Sequence, residues 1–338
     1  MLEPLKGFRT FKTDHCVTGS MRHVYDFHGY PLSEDLLLGL GAGVGFLYWY
    51  MKGMPPFLGG RANVGRPGEE GLEKTAGRRT GVRVECFQTA SAAKAAKALL
   101  DALSRTPVMI RVDMGFLPYL GLPKGYHFGG HVVAVAGYDP GGREVLVADR
   151  DVPLHPVALD DLARARGSKF KPFPPRNAWF AFDFSGKRPP TPRETRQAIR
   201  EVVAGMLRPP IANLGVMGIR KAGACVGKWA DSLSGDDLRH ACFNAFVFID
   251  STGGTGGGCF RYMYGRFLKE AAGITGERRL EAVGDHLRGI GDLWQQAAGV
   301  FRESSASRAA GGLSEAARLL ATIAGEEEAA WTRLRTLV

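Results

Sequence analysis

The sequence His131-Val132-Val133-Ala134-Val135-Ala136-Gly137-Tyr138-Asp139 is followed by Pro140-Gly141-Gly142 and then by Arg143-Glu144-Val145-Leu146-Val147-Ala148-Asp149. Two valine-rich runs that flank residue types favouring a turn predict a β-hairpin. His131 begins the first predicted strand and Asp149 follows the second, so antiparallel pairing brings the two residues together at the open end. A carboxylate beside an imidazole fixes its tautomer and supports the imidazolium form. The hairpin therefore predicts a His–Asp pair.

Cys16 is the candidate nucleophile for this pair. Residues 13–28 are typical of a helix that opens at Thr13-Asp14-His15-Cys16, with Thr13 or Asp14 as the cap. A thiol in the first turn of a helix lies at the positive end of the helix dipole, which favours a thiolate. We expect Cys16, His131 and Asp149, which follow the chain order Cys, His, Asp, to form a catalytic set. The alternative is that His131 is an ordinary core histidine on an apolar strand.

Charge and cysteine usage limit the classes of function. The chain has 338 residues and a formal net charge of +10. No zinc-ligand spacing, arginine-rich arm or RNA-binding signature accompanies this charge, so a nucleic-acid partner is not expected. A basic surface equally suits an acidic protein partner. The five cysteines are dispersed and include no C-x-x-C pair, which argues against disulfides and metal sites and favours a reducing cytoplasm.

The sequence also predicts where the protein resides. The first residues lack the charged-then-apolar pattern of a signal peptide. The longest uncharged run, residues 36–51, is shorter than the roughly 20 residues that a membrane span needs. We therefore expect a cytoplasmic protein without membrane contact, and no sequence feature calls for a metal or an organic cofactor.

The predicted elements divide the chain into two domains. Residues 1–184 mix predicted strands and helices, residues 185–192 form a proline-rich linker, and residues 193–338 are predicted to be helical throughout. The fold class is therefore α+β, followed by an all-helical domain. A helical domain that covers an active-site cleft would exclude water from it.

A glycine-rich segment stands out in the helical half. Thr252-Gly253-Gly254-Thr255-Gly256-Gly257-Gly258 precedes a predicted helix that begins near Cys259 and continues through Arg261. Glycines at a helix start leave backbone N–H groups approachable, so Gly256, Gly257, Gly258 and Arg261 are candidate substrate-binding residues. The alternative is a tight turn between packed helices.

Several segments resemble the family of the butirosin biosynthesis protein H N-terminal domain. They are His15-Cys16, Gly29-Tyr30-Pro31-Leu32-Ser33-Glu34, Gly39-Leu40-Gly41-Ala42-Gly43-Val44-Gly45-Phe46-Leu47-Tyr48, Gly130-His131 and Gly137-Tyr138-Asp139. The helical half, with Gly256-Gly257-Gly258-Cys259-Phe260-Arg261-Tyr262-Met263-Tyr264, looks like the uncharacterised domain that commonly follows it. The resemblance implies a papain-like fold akin to bacteriocin-processing cysteine peptidases, with Cys16, His131 and Asp149 as nucleophile, base and orienter.

The resemblance leaves two site residues open. Papain-like enzymes usually carry a Gln shortly before the Cys as an oxyanion donor, and residues 1–15 contain none. The Cys16 N–H would then act with a second donor, the hydroxyl of Thr10 or of Thr13. Asp151 is the alternative to Asp149 as the orienter of His131.

Three functions are compatible with these residues. The resemblance implies acyl transfer from a carrier-protein thioester to a small amine acceptor through an S-acyl-Cys16 intermediate. In that case the donor would be an acyl thioester, with an acidic acyl carrier protein as the partner. The alternatives are a peptidase or amidase that uses the same three residues, and a non-catalytic binding module that keeps the fold.

Overall fold

A computed structural model describes residues 2–50, 55–65, 70–139, 141, 143–307 and 311–338. These residues form two compact units, Met1–Leu37 with Thr80–Pro189 and Leu38–Arg79 with Pro190–Val338. The strands are β1 (Val44–Trp49), β2 (Phe57–Arg61), β3 (Arg83–Phe87), β4 (Val108–Val112), β5 (His131–Asp139), β6 (Glu144–Ala148), β7 (Leu154–Ala158) and β8 (Trp179–Asp183). The helices are α1 (Cys16–Phe27), α2 (Glu34–Leu40), α3 (Leu72–Arg79), α4 (Ala92–Leu103), α5 (Leu159–Gly167), α6 (Pro192–Leu207), α7 (Gly215–Val226), α8 (Trp229–Ser232), α9 (Gly235–Ile249), α10 (Arg261–Thr275), α11 (Arg279–Ser307) and α12 (Gly311–Arg335).

A six-stranded antiparallel sheet organises the first unit. Its strand order is β3-β8-β4-β5-β6-β7. The predicted hairpin is present as β5 and β6, although Pro140 and Gly142 of its predicted turn lie outside the described residues. The sequence-based prediction of an α+β region followed by a helical one is therefore confirmed.

Strand β5 is buried along nearly its whole length. Val133 and Val135 belong to an apolar cluster with residues of α4 and α5, because valine packs well on a pleated surface. The alternate residues Val132, Ala134 and Ala136 are buried as well, and helix α1 packs against this strand. The start of α1 therefore lies where it can meet the start of β5, and these two positions are Cys16 and His131.

The second unit combines helices with a two-stranded sheet of β1 and β2. The prediction had assigned residues 38–79 to the first domain, but the structure groups them with Pro190–Val338. The physical reason is that β1 is almost fully buried and finds its partners here. The Tyr48 N–H donates to the Asn213 carbonyl, and β2 packs against α9. The boundary between Pro189 and Pro190 falls inside the predicted linker.

Serine side chains lie at the starts of two of these helices. Ser33 accepts the N–H of Leu36 at the start of α2, and Ser91 caps α4, because a side-chain oxygen can satisfy an orphan N–H of the first turn. Within the described ranges, no helix combines the length and the apolarity that a membrane crossing requires.

Candidate active site

His131 and Asp149 meet at the open end of the hairpin. The His131 Nε2 atom lies 2.8 Å from the Asp149 Oδ2 atom, and both residues are buried. The two residues meet where the hairpin prediction placed them, because His131 begins β5 and Asp149 follows β6 directly. With Nε2 engaged by the carboxylate, Nδ1 is the ring nitrogen that remains for a nucleophile.

Cys16 supplies the thiol at this site. It is the first residue of α1 and is half-buried, and its side chain interacts with His131 closely enough to raise the pKa of the imidazole. The predicted cap by Thr13 or Asp14 is not observed, since His15 occupies the N-cap position without a side-chain cap bond. The structure thus brings Cys16, His131 and Asp149 together in that order.

The charges of the pair support an imidazolium. Burial alone lowers the pKa of His131, but the Asp149 charge, its hydrogen bond and the Cys16 side chain outweigh burial and raise the pKa to about 10. Burial alone raises the pKa of Asp149, but the charge of His131 and hydrogen bonds from His131 and Tyr119 lower it to about 2. The pair therefore carries opposite charges at neutral pH.

Asp151, the alternative orienter, faces a different histidine. Its carboxylate oxygens lie 2.8 and 3.0 Å from the Nε2 atom of His155. The geometry thus places Asp149 beside His131 and Asp151 beside His155. Tyr119, which the sequence did not single out, donates its hydroxyl to the Asp149 Oδ2 atom at 2.8 Å.

Glu34 holds the chain segment that precedes the thiol. Its carboxylate accepts the backbone N–H groups of Asp14 at 2.8 Å and His15 at 3.3 Å. Burial raises the pKa of this carboxyl to about 7, although the two backbone hydrogen bonds oppose the rise. The family motif Gly29–Glu34 contained this residue, but nothing in the sequence indicated that its side chain binds the segment before Cys16. Glu34 fixes the entry of the backbone into α1.

Thr13 lies three residues before Cys16 and is tied to the strand end that carries Asp149. Its N–H donates to the Arg150 carbonyl at 2.8 Å. The Thr13 hydroxyl is buried and finds no hydrogen-bond partner among the residues described. It packs over Gly19, where an added Cβ would lie 2.3 Å from the Thr13 Oγ1 atom. Glycine at this position lets Thr13 approach the first turn of α1.

The glycine-rich segment belongs to the other unit and behaves there as a packed turn. Gly256, Gly257 and Gly258 are all buried. A Cβ on Gly258 would lie 2.6 Å from the Gly291 Cα atom of α11, so the missing side chain permits close backbone contact. This is the alternative that the sequence had left open, a tight turn between packed helices.

Arg261 has a structural environment that does not fit the expected substrate contact. Its side chain is fully buried, with Nε 2.6 Å from the Glu327 Oε1 atom and Nη2 3.0 Å from Oε2. Its Nη1 atom donates to the carbonyls of Gly45 and Cys259 at 2.9 and 2.7 Å. All of these hydrogen-bond partners of the guanidinium lie within its own unit. The substrate role expected for Arg261 is therefore corrected to a structural one.

The described residues contain no group of three or more His, Cys, Asp or Glu side chains placed to hold a metal ion. The fold and the site together define an α+β unit that carries a Cys–His–Asp constellation, joined to a helical region. The family model described as Butirosin biosynthesis protein H, N-terminal, matches residues 15–150, and that described as Domain of unknown function (DUF4872) matches residues 160–334.

These two matches confirm the family that the sequence resembled. The match to the domain of unknown function alone covers more than half of the chain. The chain therefore belongs to the family of proteins in which this domain follows the butirosin biosynthesis protein H N-terminal domain. The first match begins beside Cys16 and ends directly after Asp149. The family name associates the chain with antibiotic biosynthesis. A search of curated proteins found no match.

Proposed function

We propose that this protein is a cysteine-dependent acyltransferase that moves an acyl group from a thioester to an amine. Cys16 is the nucleophile, His131 the general base and acid, and Asp149 the residue that orients His131 and balances its charge. The observation that carries the proposal is the buried His131–Asp149 pair at 2.8 Å, with the Cys16 thiol as a neighbour that interacts with His131.

The first half-reaction loads the enzyme. The Cys16 sulfur attacks the thioester carbonyl and forms a tetrahedral oxyanion, while the proton of the thiol resides on His131. When the oxyanion collapses, the donor thiol leaves with the proton from His131, and S-acyl-Cys16 remains. The oxyanion needs donors, and the Cys16 N–H at the start of α1 is one. The unpartnered hydroxyl of Thr13 is the second donor that we propose.

The second half-reaction transfers the acyl group. His131, now neutral, accepts a proton from the attacking amine, and the new C–N bond replaces the C–S bond. The Cys16 sulfur leaves as a thiolate and His131 keeps the proton that it took from the amine, so the enzyme returns to its initial state. The formal net charge of +10 suits an acidic donor such as an acyl carrier protein, because opposite charges increase the rate of encounter.

Intact-mass spectrometry tests this proposal. The protein is incubated with an acyl thioester such as an N-acetylcysteamine ester, and a small primary amine is then added. We expect a mass increase of one acyl group that disappears on Cys16→Ala, and amide formation that depends on the amine. Cys86→Ala is the matched control, because Cys86 is a half-buried thiol in the same unit.

The outcomes separate the candidate functions. An adduct on Cys16 that water discharges as fast as the amine does would favour the hydrolase. An adduct that forms equally in Cys16→Ala, or amide formation without any need for Cys16, would refute the proposed nucleophile.

A further inference from the structure

We propose that Tyr119 is a positioning residue of the Cys16–His131–Asp149 set, because its hydroxyl and the His131 ring share one carboxylate oxygen of Asp149. The inference rests on the proposed function only because that function gives Cys16, His131 and Asp149 their catalytic roles. Tyr119 does not touch the reacting atoms and acts through Asp149.

The two donors on the Asp149 Oδ2 atom hold the carboxylate in one orientation. The Tyr119 hydroxyl and the His131 Nε2 atom each lie 2.8 Å from this oxygen. A carboxylate bound by a single donor can rotate about its Cβ–Cγ bond. A second donor on the same oxygen removes that freedom, and with it the freedom of the imidazole plane that faces Cys16.

A ring stack holds Tyr119 itself. Its ring lies 4.0 Å from that of His155 with an interplanar angle of 10°. The Nε2 atom of His155 is held by both carboxylate oxygens of Asp151. Asp151, the alternative orienter in the sequence argument, therefore supports the set through His155 and Tyr119.

The loop that carries Tyr119 is anchored at both ends by one buried carboxylate. Asp113, which is fully buried, accepts the N–H of Gly115 and the N–H of Phe128 on its Oδ1 atom, each at 3.0 Å. Its Oδ2 atom is engaged by Ser168 at 2.6 Å and by His127 at 3.0 Å. Because Phe128 lies shortly before His131, this anchor fixes the hydroxyl donor and the imidazole relative to each other.

The direction of the effect follows from how the carboxylate divides its charge. The hydroxyl of Tyr119 draws charge from Asp149 and lowers the pKa of that carboxyl. Without the hydroxyl, the charge of Asp149 acts on His131 alone and stabilises the imidazolium further. The ionisable groups around the pair do not change in such a variant; they are Cys16, His23, Arg150, Asp151 and His155.

The test follows the protonation of His131 directly. Protein with isotope-labelled histidine is titrated by NMR, and the His131 ring signals are assigned with His131→Gln. In Tyr119→Phe, which keeps the ring stacked on His155, we expect the His131 midpoint to rise by about half a pH unit or more. Tyr138→Phe is the matched control and should leave the midpoint unchanged, because Tyr138 packs on the apolar cluster.

A second variant, Tyr119→Leu, removes the same hydroxyl with a different side chain and should raise the midpoint as well. An unchanged or lowered midpoint in folded Tyr119→Phe would overturn the inference, as would an equal rise in Tyr138→Phe. The readout does not depend on any acyl transfer. A failed transfer assay with a raised midpoint would therefore refute the proposed function and leave the positioning role of Tyr119 intact.

Discussion

The buried ion pair between Arg261 and Glu327 gives the sharpest stability prediction. Glu327 is fully buried and receives four hydrogen bonds, two from Arg261, one from the Trp294 indole at 2.9 Å and one from the Trp331 indole at 2.5 Å. Arg261→Met fills much of the space of the side chain but removes two of these donors and the only positive charge among them. A buried charge left without its partner typically costs about 3–5 kcal/mol.

We therefore expect Arg261→Met to lower the free energy of unfolding by about 3–5 kcal/mol. Glu327→Leu in the same protein removes the stranded charge, so the double variant should be more stable than Arg261→Met alone. Urea unfolding followed by tryptophan fluorescence measures both, because two of the five tryptophans contact Glu327.

The matched control is a second ion pair whose carboxylate, Glu328, also lies on α12. Arg220 pairs with Glu328 at 2.6 Å, but both side chains are half exposed, and such pairs contribute only about 0–1 kcal/mol. Arg220→Met should therefore change stability little. A loss below about 1 kcal/mol in Arg261→Met, or an equal loss in Arg220→Met, would contradict the structural role assigned to Arg261.

Three further predictions concern the first unit. Burial lowers the pKa of His23 to about 4, so the fold loses stability as the pH falls from 6.5 to about 4; His23→Gln should flatten this loss in thermal melts measured across that range. Glu34→Ala should slow alkylation of Cys16 several-fold, whereas Glu34→Gln, which keeps an acceptor oxygen, should slow it less; equal rates in both variants would contradict the anchoring role. Gly19→Ala should lower the melting temperature by several degrees, because its Cβ would lie 2.3 Å from the Thr13 hydroxyl. Adding Thr13→Ser to Gly19→Ala should not recover this loss, because the hydroxyl stays. Adding Thr13→Gly should recover it, because the clashing side chain is removed.

The sequence predicted the parts of the site that local patterns determine. The hairpin set the positions of His131 and Asp149, since the period of the valines and the turn residues fixes which ends meet. The start of α1 set the position of Cys16. These residues are separated by long stretches of sequence, yet each is marked by its place at the end of an element.

Residues that act through tertiary contacts left no such mark. Tyr119 lies in a short 3₁₀ turn, Pro118–Leu120, and nothing in its sequence neighbours indicates a hydrogen bond to Asp149. Glu34 resembled an ordinary acidic residue in a first helical turn, although its carboxylate holds the segment before Cys16. Arg261 looked like a substrate ligand because it followed a glycine-rich turn, whereas its acidic partner, Glu327, lies in α12. Pairings at such sequence separations depend on packing, which composition and spacing do not encode.

The segment 38–79 shows the same limit at the level of units. Its strands have the composition of sheet residues, so continuity along the chain favoured the first domain. Tertiary packing overrides this continuity, because β1 and β2 bury their apolar residues against helices of the second unit.

The reactivity of Cys16 tests the central claim most directly. The protein is treated with limiting iodoacetamide between pH 5.5 and 8, and the rate of labelling is mapped for each of the five cysteines. Burial raises the pKa of Cys242 to about 11 and that of Cys259 to about 12, so neither should compete. We predict that Cys16 is labelled first, that its rate persists at the acidic end of this range, and that His131→Ala abolishes this persistence. Preferential labelling of another cysteine, or a Cys16 rate at low pH that does not depend on His131, would contradict the account.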